Sequence, residues 1–213
     1  DESVKVLVIR GAGQHFCAGH YMAEMIDEGV RENKFIFDQC AKMMQMIHEI
    51  PQPVIAQVQG IATAAGCQLV AWCDLAVAEE GARFVTPGVK IGLFCTTPMV
   101  AVARAIGRKA AMEMLLTGEL VSADHAAAIG LINRAVPVDQ LHAETAALAR
   151  AIASKSSHVI AIGKQTFYAQ REMALADAYD HAAQVMVNNM LAQDAEEGIG
   201  AFLDKRPPQW RDA

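Results

Sequence analysis

The sequence predicts an α/β fold, with a sheet-and-helix core over residues 1–140 and an all-helical module over 141–213. Three observations predict it. Short β-branched runs alternate with helical apolar spacings as far as Val136. Beyond Pro137 no strand signal returns through Leu203. The 213 residues are 53% hydrophobic and 20% charged, enough to fill a core and far from the composition of a disordered chain.

Taken in order, Val4 to Ile9 is a β-branched run broken by Gly11-Ala12-Gly13, read as a buried strand entering a loop that lasts to about His20. From Phe35 to Ile50, Ile36, Cys40, Met43, Ile47 and Ile50 recur at three and four, a long amphipathic helix stopped by Pro51 and Pro53. Within it, the methionine-rich turn Met43-Met44-Gln45-Met46 reads as core or subunit contact. Val54 to Val58 reads as a second buried strand. The small residues from Gly60 to Gly66 then lead into a buried helix from Cys67 to Trp72. Leu75 to Ala78 and Arg83 to Val85 are short strands. Helices follow from Thr97 to the Gly107 break and from Lys109 to Leu116. Ser122-Ala123-Asp124 caps another helix ending at Gly130, and Leu131 to Val136 returns to strand. Three or four helices complete the chain.

Lys plus Arg number 18 against 24 Asp plus Glu, a formal charge of −6 that argues against a nucleic-acid partner, whose phosphates need a basic surface. Charges or glycine interrupt the apolar residues well short of the roughly 20 needed to span a bilayer. Five cysteines, odd in number and set among apolar residues, suit reduced buried thiols rather than a disulfide framework. Seven scattered histidines and the absence of a C-x-x-C pair or an H-E-x-x-H helix predict no metal. Asp1-Glu2-Ser3 followed at once by a strand pattern carries no targeting segment and reads as a chain entered partway through a domain.

Gly11-Ala12-Gly13 after a strand invites a dinucleotide-binding reading. The third glycine of that fingerprint falls on Phe16 and no helix follows directly, so a simple glycine turn is preferred. Two other segments are more informative: Phe16-Cys17-Ala18-Gly19-His20, and Ile61-Ala62-Thr63-Ala64-Ala65-Gly66-Cys67-Gln68. Each places small residues where a strand leaves the sheet, so backbone can approach a ligand, and the second opens a helix whose first N–H groups lack partners. Two such amides converging on one oxygen would stabilise an oxyanion. From spacing alone, tight packing of helix on sheet explains the same residues.

With Pro53 to Gly60, Ala64 to Asp74, Leu116 to Glu119, Ala128 to Leu131 and Glu197 to Arg206 added in order, the run from Val4 to Trp210 resembles the crotonase (enoyl-CoA hydratase/isomerase) superfamily throughout. Thr86-Pro87-Gly88-Val89 and Gly92-Leu93-Phe94-Cys95 resemble one branch of it. The resemblance implies a ClpP/crotonase-like fold whose C-terminal helices join protomers into trimers or hexamers. It also implies an acyl-CoA or enoyl-CoA thioester as ligand, with coenzyme A as part of the substrate and no covalently bound cofactor. Carried over by position, it puts oxyanion-hole amides at His20 and Ala65, and CoA contacts at Ala18, Phe202 and Lys205, with Arg206 beside them as a second phosphate partner. It puts the two acid/base glutamates of hydratases at Gln68 and Gly88, and an alternative acid near Thr96. None of these three can exchange a proton near neutral pH. Family members begin about forty residues earlier, with further strands and a helix against the CoA.

Cys67, Cys95, Thr86, Thr96, Thr97 and Tyr21 are weaker candidates for pocket walls. Asp74 reads as a cap or local pair, and Glu79, Glu80 and Glu119 as solvated carboxylates. Three functions fit: an enzyme on acyl-CoA thioesters with weak or no hydratase activity, a non-catalytic acyl-CoA-binding relative, or a scaffold. A bacterial cytoplasm is the expected compartment, with the mitochondrial matrix as alternative.

Overall fold

The computed structural model describes residues 1 and 3–212. Its contacts cluster into two units: residues 8–47 with 54–147, and residues 1–7 with 48–53 and 148–213.

The first of these holds the sheets. Strands β1 (Leu7–Arg10), β2 (Val54–Val58), β4 (Leu75–Glu79) and β7 (Arg134–Val136) form a four-stranded sheet in the order β1-β2-β4-β7. β2 pairs β4 in parallel with Ile55 opposite Leu75, and β4 pairs β7 in parallel. Every residue of β2 is buried, Gln57 included, as a mostly apolar run predicts for a parallel sheet covered on both faces. β1 differs from expectation. It starts three residues later and lies at the edge of the sheet, with Leu7 and Val8 exposed, because a strand with a neighbour on one side only keeps an open flank.

A second sheet, of three strands, was not anticipated: β3 (Ile61–Thr63), β5 (Arg83–Val85) and β6 (Val121–Ser122), with β3 and β5 parallel and β5 and β6 antiparallel. The run from Val54 to Thr63 divides at Gly60, whose φ of +60° turns the chain from one sheet to the other. A Cβ there would meet the Gln14 carbonyl oxygen at 2.2 Å, so only glycine fits. Glu79, expected in solvent, instead accepts from the Gly60 N–H at 2.9 Å and fixes that corner. Asp74 likewise reaches across the sheet to accept from Val54 N–H at 2.7 Å.

Helix α1 (Val30–Glu49) begins five residues ahead of its periodic apolar stretch and buries Met44 and Ile47, while Met43 and Met46 are exposed. Helices α2 (Ala65–Trp72), α3 (Thr96–Ala105) and α4 (Arg108–Thr117) follow. Next comes α5 (Ala123–Ala128), capped as predicted by Ser122, whose Oγ accepts from the His125 N–H. The core of this unit is Val54, Ile55, Val58, Val70, Val77, Phe84, Val102 and Leu115, all essentially inaccessible.

The other unit is mainly helical: the end of α6 (Leu141–Ala153), then α7 (Ser157–Gln170), α8 (Leu175–Met190) and α9 (Gln193–Leu203). Lys164 is buried there and donates to the Gln52 carbonyl at 2.8 Å. Among the described residues no helix is long and apolar enough to cross a membrane, and no three His, Cys, Asp or Glu side chains converge as a metal site.

Candidate functional site

The two glycine-bearing segments singled out in the sequence lie side by side. Phe16 and Cys17 N–H both donate to the Ile61 carbonyl, and Thr63 N–H returns a bond to the Cys17 carbonyl at 3.0 Å. The loop after β1 is thereby zipped along β3, with Cys17 bridged to Ala62. Two glycines permit this approach. A Cβ on Gly66 would meet the Cys17 carbonyl oxygen at 2.2 Å, and one on Gly19, at φ +86°, would sit 3.3 Å from the Ala65 nitrogen.

Ala64 completes the turn. Its φ of +50° and ψ of −116° are unusual for a residue with a Cβ, and its own N–H is held by the Val85 carbonyl at 2.9 Å. Strain of this kind persists only where the surroundings impose it. Here it starts α2 directly after β3, and the Ala65 N–H, first of an uncapped helix, finds no acceptor. Among the described residues neither the Ala65 nor the His20 amide donates a hydrogen bond within the chain. Both residues line one cavity of about 390 Å³.

That cavity is mostly apolar. Ala18, Met22, Met25, Phe37, Ile91, Leu93 and Phe94 contribute to its wall, with Gly88, Cys95, Thr96 and Thr97 on the side formed by the turn at Pro87–Ile91 and the start of α3. The His20 ring meets Phe37 edge-on, with centroids 5.4 Å apart. No aspartate or glutamate is among the lining residues. The surroundings can therefore polarise an uncharged oxygen through backbone dipoles, and they offer no carboxylate to move a proton.

Of the residues named from sequence, the structure brings together His20, Ala65, Ala18, Gly88, Cys95, Thr96 and Thr97. Gln68 is buried but lines a neighbouring, smaller chamber rather than this cavity. Gly88 is walled in: its N–H points at Cys95 Sγ, 3.4 Å away, and a Cβ would lie 2.8 Å from the Leu93 carbonyl oxygen. Thr86 is fully buried and turns its hydroxyl away, donating to the Met114 carbonyl at 2.9 Å. Tyr21 is exposed, and Cys67 is sealed on the inner side of α2, where burial, with the neighbouring Cys95 thiol adding to it, pushes its thiol up to about 12. Phe202 and Lys205 belong to the other unit and are not among the lining residues. Phe202 is exposed at the end of α9, and Lys205 follows it at φ +56°. Arg206, offered as a second phosphate partner, is instead held in a bidentate ion pair by Glu197.

Sequence reasoning placed Ala64 and residues 92–94 in quoted motifs without giving them a role at the site, and it did not single out Phe37 or Ile91. A strained alanine leaves no signal, since nothing local favours it. Phe37 lies in the helical stretch but outside its periodic apolar series, so nothing marked it as part of a site.

The sequence profile described as Enoyl-CoA hydratase/isomerase matches residues 1–213. The chain is 49% identical over 210 residues to the mitochondrial enoyl-CoA hydratase domain-containing protein 3 of Mus musculus, covering 98% of this chain and 70% of that one. A crystal structure of the human enoyl coenzyme A hydratase domain-containing protein 3 superposes with a TM-score of 0.96 at 49% identity, covering 99% of this chain and 83% of that one. A crystal structure of an enoyl-CoA hydratase from Mycobacterium smegmatis gives a TM-score of 0.96 at 50% identity, with 99% and 82% covered.

Proposed function

Because the chain belongs to the enoyl-CoA hydratase/isomerase family, we propose that it binds an acyl-CoA thioester through the carbonyl oxygen, with the His20 and Ala65 amides as donors, and that it hydrates enoyl-CoA weakly or not at all. One observation carries the reading: two unpartnered backbone amides flank a cavity whose wall has no carboxylate.

The amides account for polarisation. A thioester enolate places charge on the carbonyl oxygen, and preorganised donors stabilise it without reorganising. Hydration then requires one group to activate water and another to serve the α-carbon. The positions where the family supplies these hold Gln68, an amide that cannot act as a base, and Gly88, which has no side chain. A non-catalytic acyl-CoA-binding role follows most directly, and Ala18, on the same wall, adds a thioester contact on the family's pattern. Phe202 and Lys205 as CoA contacts, and trimers or hexamers built through the C-terminal helices, extend the proposal on the family's pattern. The relatives named mitochondrial support a mitochondrial location.

Calorimetric titration with butyryl-CoA and a turnover assay with crotonyl-CoA test the reading together. Binding is expected with hydration far below the rate of about 10 s⁻¹ typical of enzymes. Turnover at or above that rate would overturn the catalytic part, and loss of all affinity for CoA esters would overturn the whole.

A further inference from the structure

Among the described residues, Cys95 is the one cysteine that lines the main cavity. It is 8% exposed and stands at the cap position of α3, where its side chain makes no cap bond. The Gly88 N–H donates to its Sγ at 3.4 Å, and a Cβ on Gly88 would lie 3.0 Å from the same atom, so the sulfur sits directly against that wall. A backbone donor and a helix N-terminus beside a thiol favour a nucleophile. Cys67, sealed on the inner side of α2, has no such access. Nor does Cys95 stand alone in its cavity. The His20 and Ala65 amides line the same space, donate to nothing within the described chain, and fit a carbonyl oxygen.

We propose that Cys95 captures an α,β-unsaturated acyl-CoA by conjugate addition: its sulfur bonds the β-carbon of an enoyl thioester whose carbonyl oxygen is held by the His20 and Ala65 amides. The inference rests on the acyl-CoA reading and gives the same cavity an activity, covalent and stoichiometric rather than hydrating. The step balances without a co-reactant. The bond from sulfur to the β-carbon forms, the electron pair of the double bond moves toward the carbonyl as an enolate, and the proton given up by the thiol is balanced by one added at the α-carbon. The two amides stabilise that enolate oxygen. Polarising the carbonyl makes the β-carbon electrophilic only where a double bond is conjugated to it, so a saturated ester binds without reacting. Water is a poor competitor, because no carboxylate lines the cavity to activate it. A cysteine is intrinsically the stronger nucleophile and needs less help.

Intact-mass spectrometry of the full chain, incubated with crotonyl-CoA and quenched in acid to halt the base-promoted reverse reaction, is the test. Peptide mapping places the adduct, and calorimetry with butyryl-CoA reads binding separately. One adduct per chain is expected, heavier by a whole crotonyl-CoA and located on Cys95, with none from butyryl-CoA. Cys95→Ser should lose the mass shift, and if that variant folds poorly, mapping of the unsubstituted chain still identifies the residue. No adduct in a chain that binds butyryl-CoA overturns the inference while leaving acyl-CoA binding intact. An adduct mapped to another residue overturns the role of Cys95, and a gain of the acyl group alone, with CoA released, overturns the addition step. If butyryl-CoA does not bind and no adduct forms, the acyl-CoA reading falls and this inference with it.

Discussion

A Cβ on Gly88 would lie 2.8 Å from the Leu93 carbonyl oxygen and 3.0 Å from Cys95 Sγ, so the residue that replaces a family glutamate is held by backbone on its open side. Gly88→Ala should cost about 1–3 kcal/mol through overpacking. The measurement is urea unfolding, where the midpoint falls while the slope stays constant. Restoring an acid at position 88 therefore requires residues 93–95 to move, whereas Gln68→Glu meets no such obstacle in the adjoining chamber. Cys67 presents a second residue-level outcome. Burial, reinforced by the neighbouring Cys95 thiol, pushes it up to about 12, so it stays protonated near neutral pH. Iodoacetamide at pH 8 should leave Cys67 unmodified in the native protein and alkylate it once urea is added, as read by peptide mass spectrometry.

At the scale of elements, the end of the chain is tied back over α9. Glu197 accepts from Arg206 Nη1 at 2.6 Å, Arg206 Nη2 at 2.9 Å and the Gln209 N–H at 2.7 Å. Asp194 takes the Arg211 and Asp212 amides at 2.7 and 2.9 Å. The Trp210 indole donates to the Ser154 carbonyl at 2.9 Å. The Arg206 guanidinium, with the Gln209 amide, holds the Glu197 carboxyl down from 4.5 to about 2. For an acid whose folded value is depressed, the stabilisation is complete above the unfolded value and disappears as pH falls to the folded one. The tie is therefore at full strength above pH 4.5 and is lost between there and pH 2. Denaturant midpoints measured across that window should fall less steeply for Glu197→Gln than for the unmodified chain. Equal slopes would show that the ion pair contributes nothing to acid stability, the usual result for exposed pairs.

For the whole molecule, α8 leaves Leu175, Tyr179 and Leu191 at its end more than two-thirds exposed, with Met186, Val187 and Met190 beside them. An apolar surface of this kind is ordinarily covered. Sedimentation equilibrium should report a trimer or a pair of trimers, with Met186→Asp and Leu191→Asp together shifting the mass toward the monomer; a monomer at all concentrations would remove the oligomeric proposal. Much of the fold was legible because its signals are local. The apolar run of β2, the Ser122 cap and the glycine and proline stops act over a few residues, where propensity and capping energies decide the outcome. So were two of the segments that form the cavity, since small residues at two strand ends mark close backbone approach. The sequence by itself determined the alternation of strands and helices, the absence of acids at positions 68 and 88, and the family to which those residues belong. Only the tertiary structure decided that the sheet divides at Gly60, that Gln68 faces a separate chamber, and that Ala64 adopts a positive φ leaving the Ala65 amide unpaired. Each of these depends on segments distant in the chain, such as Cys17 against Ala62 and Ala64 against Val85, and no short-range preference encodes where such segments meet.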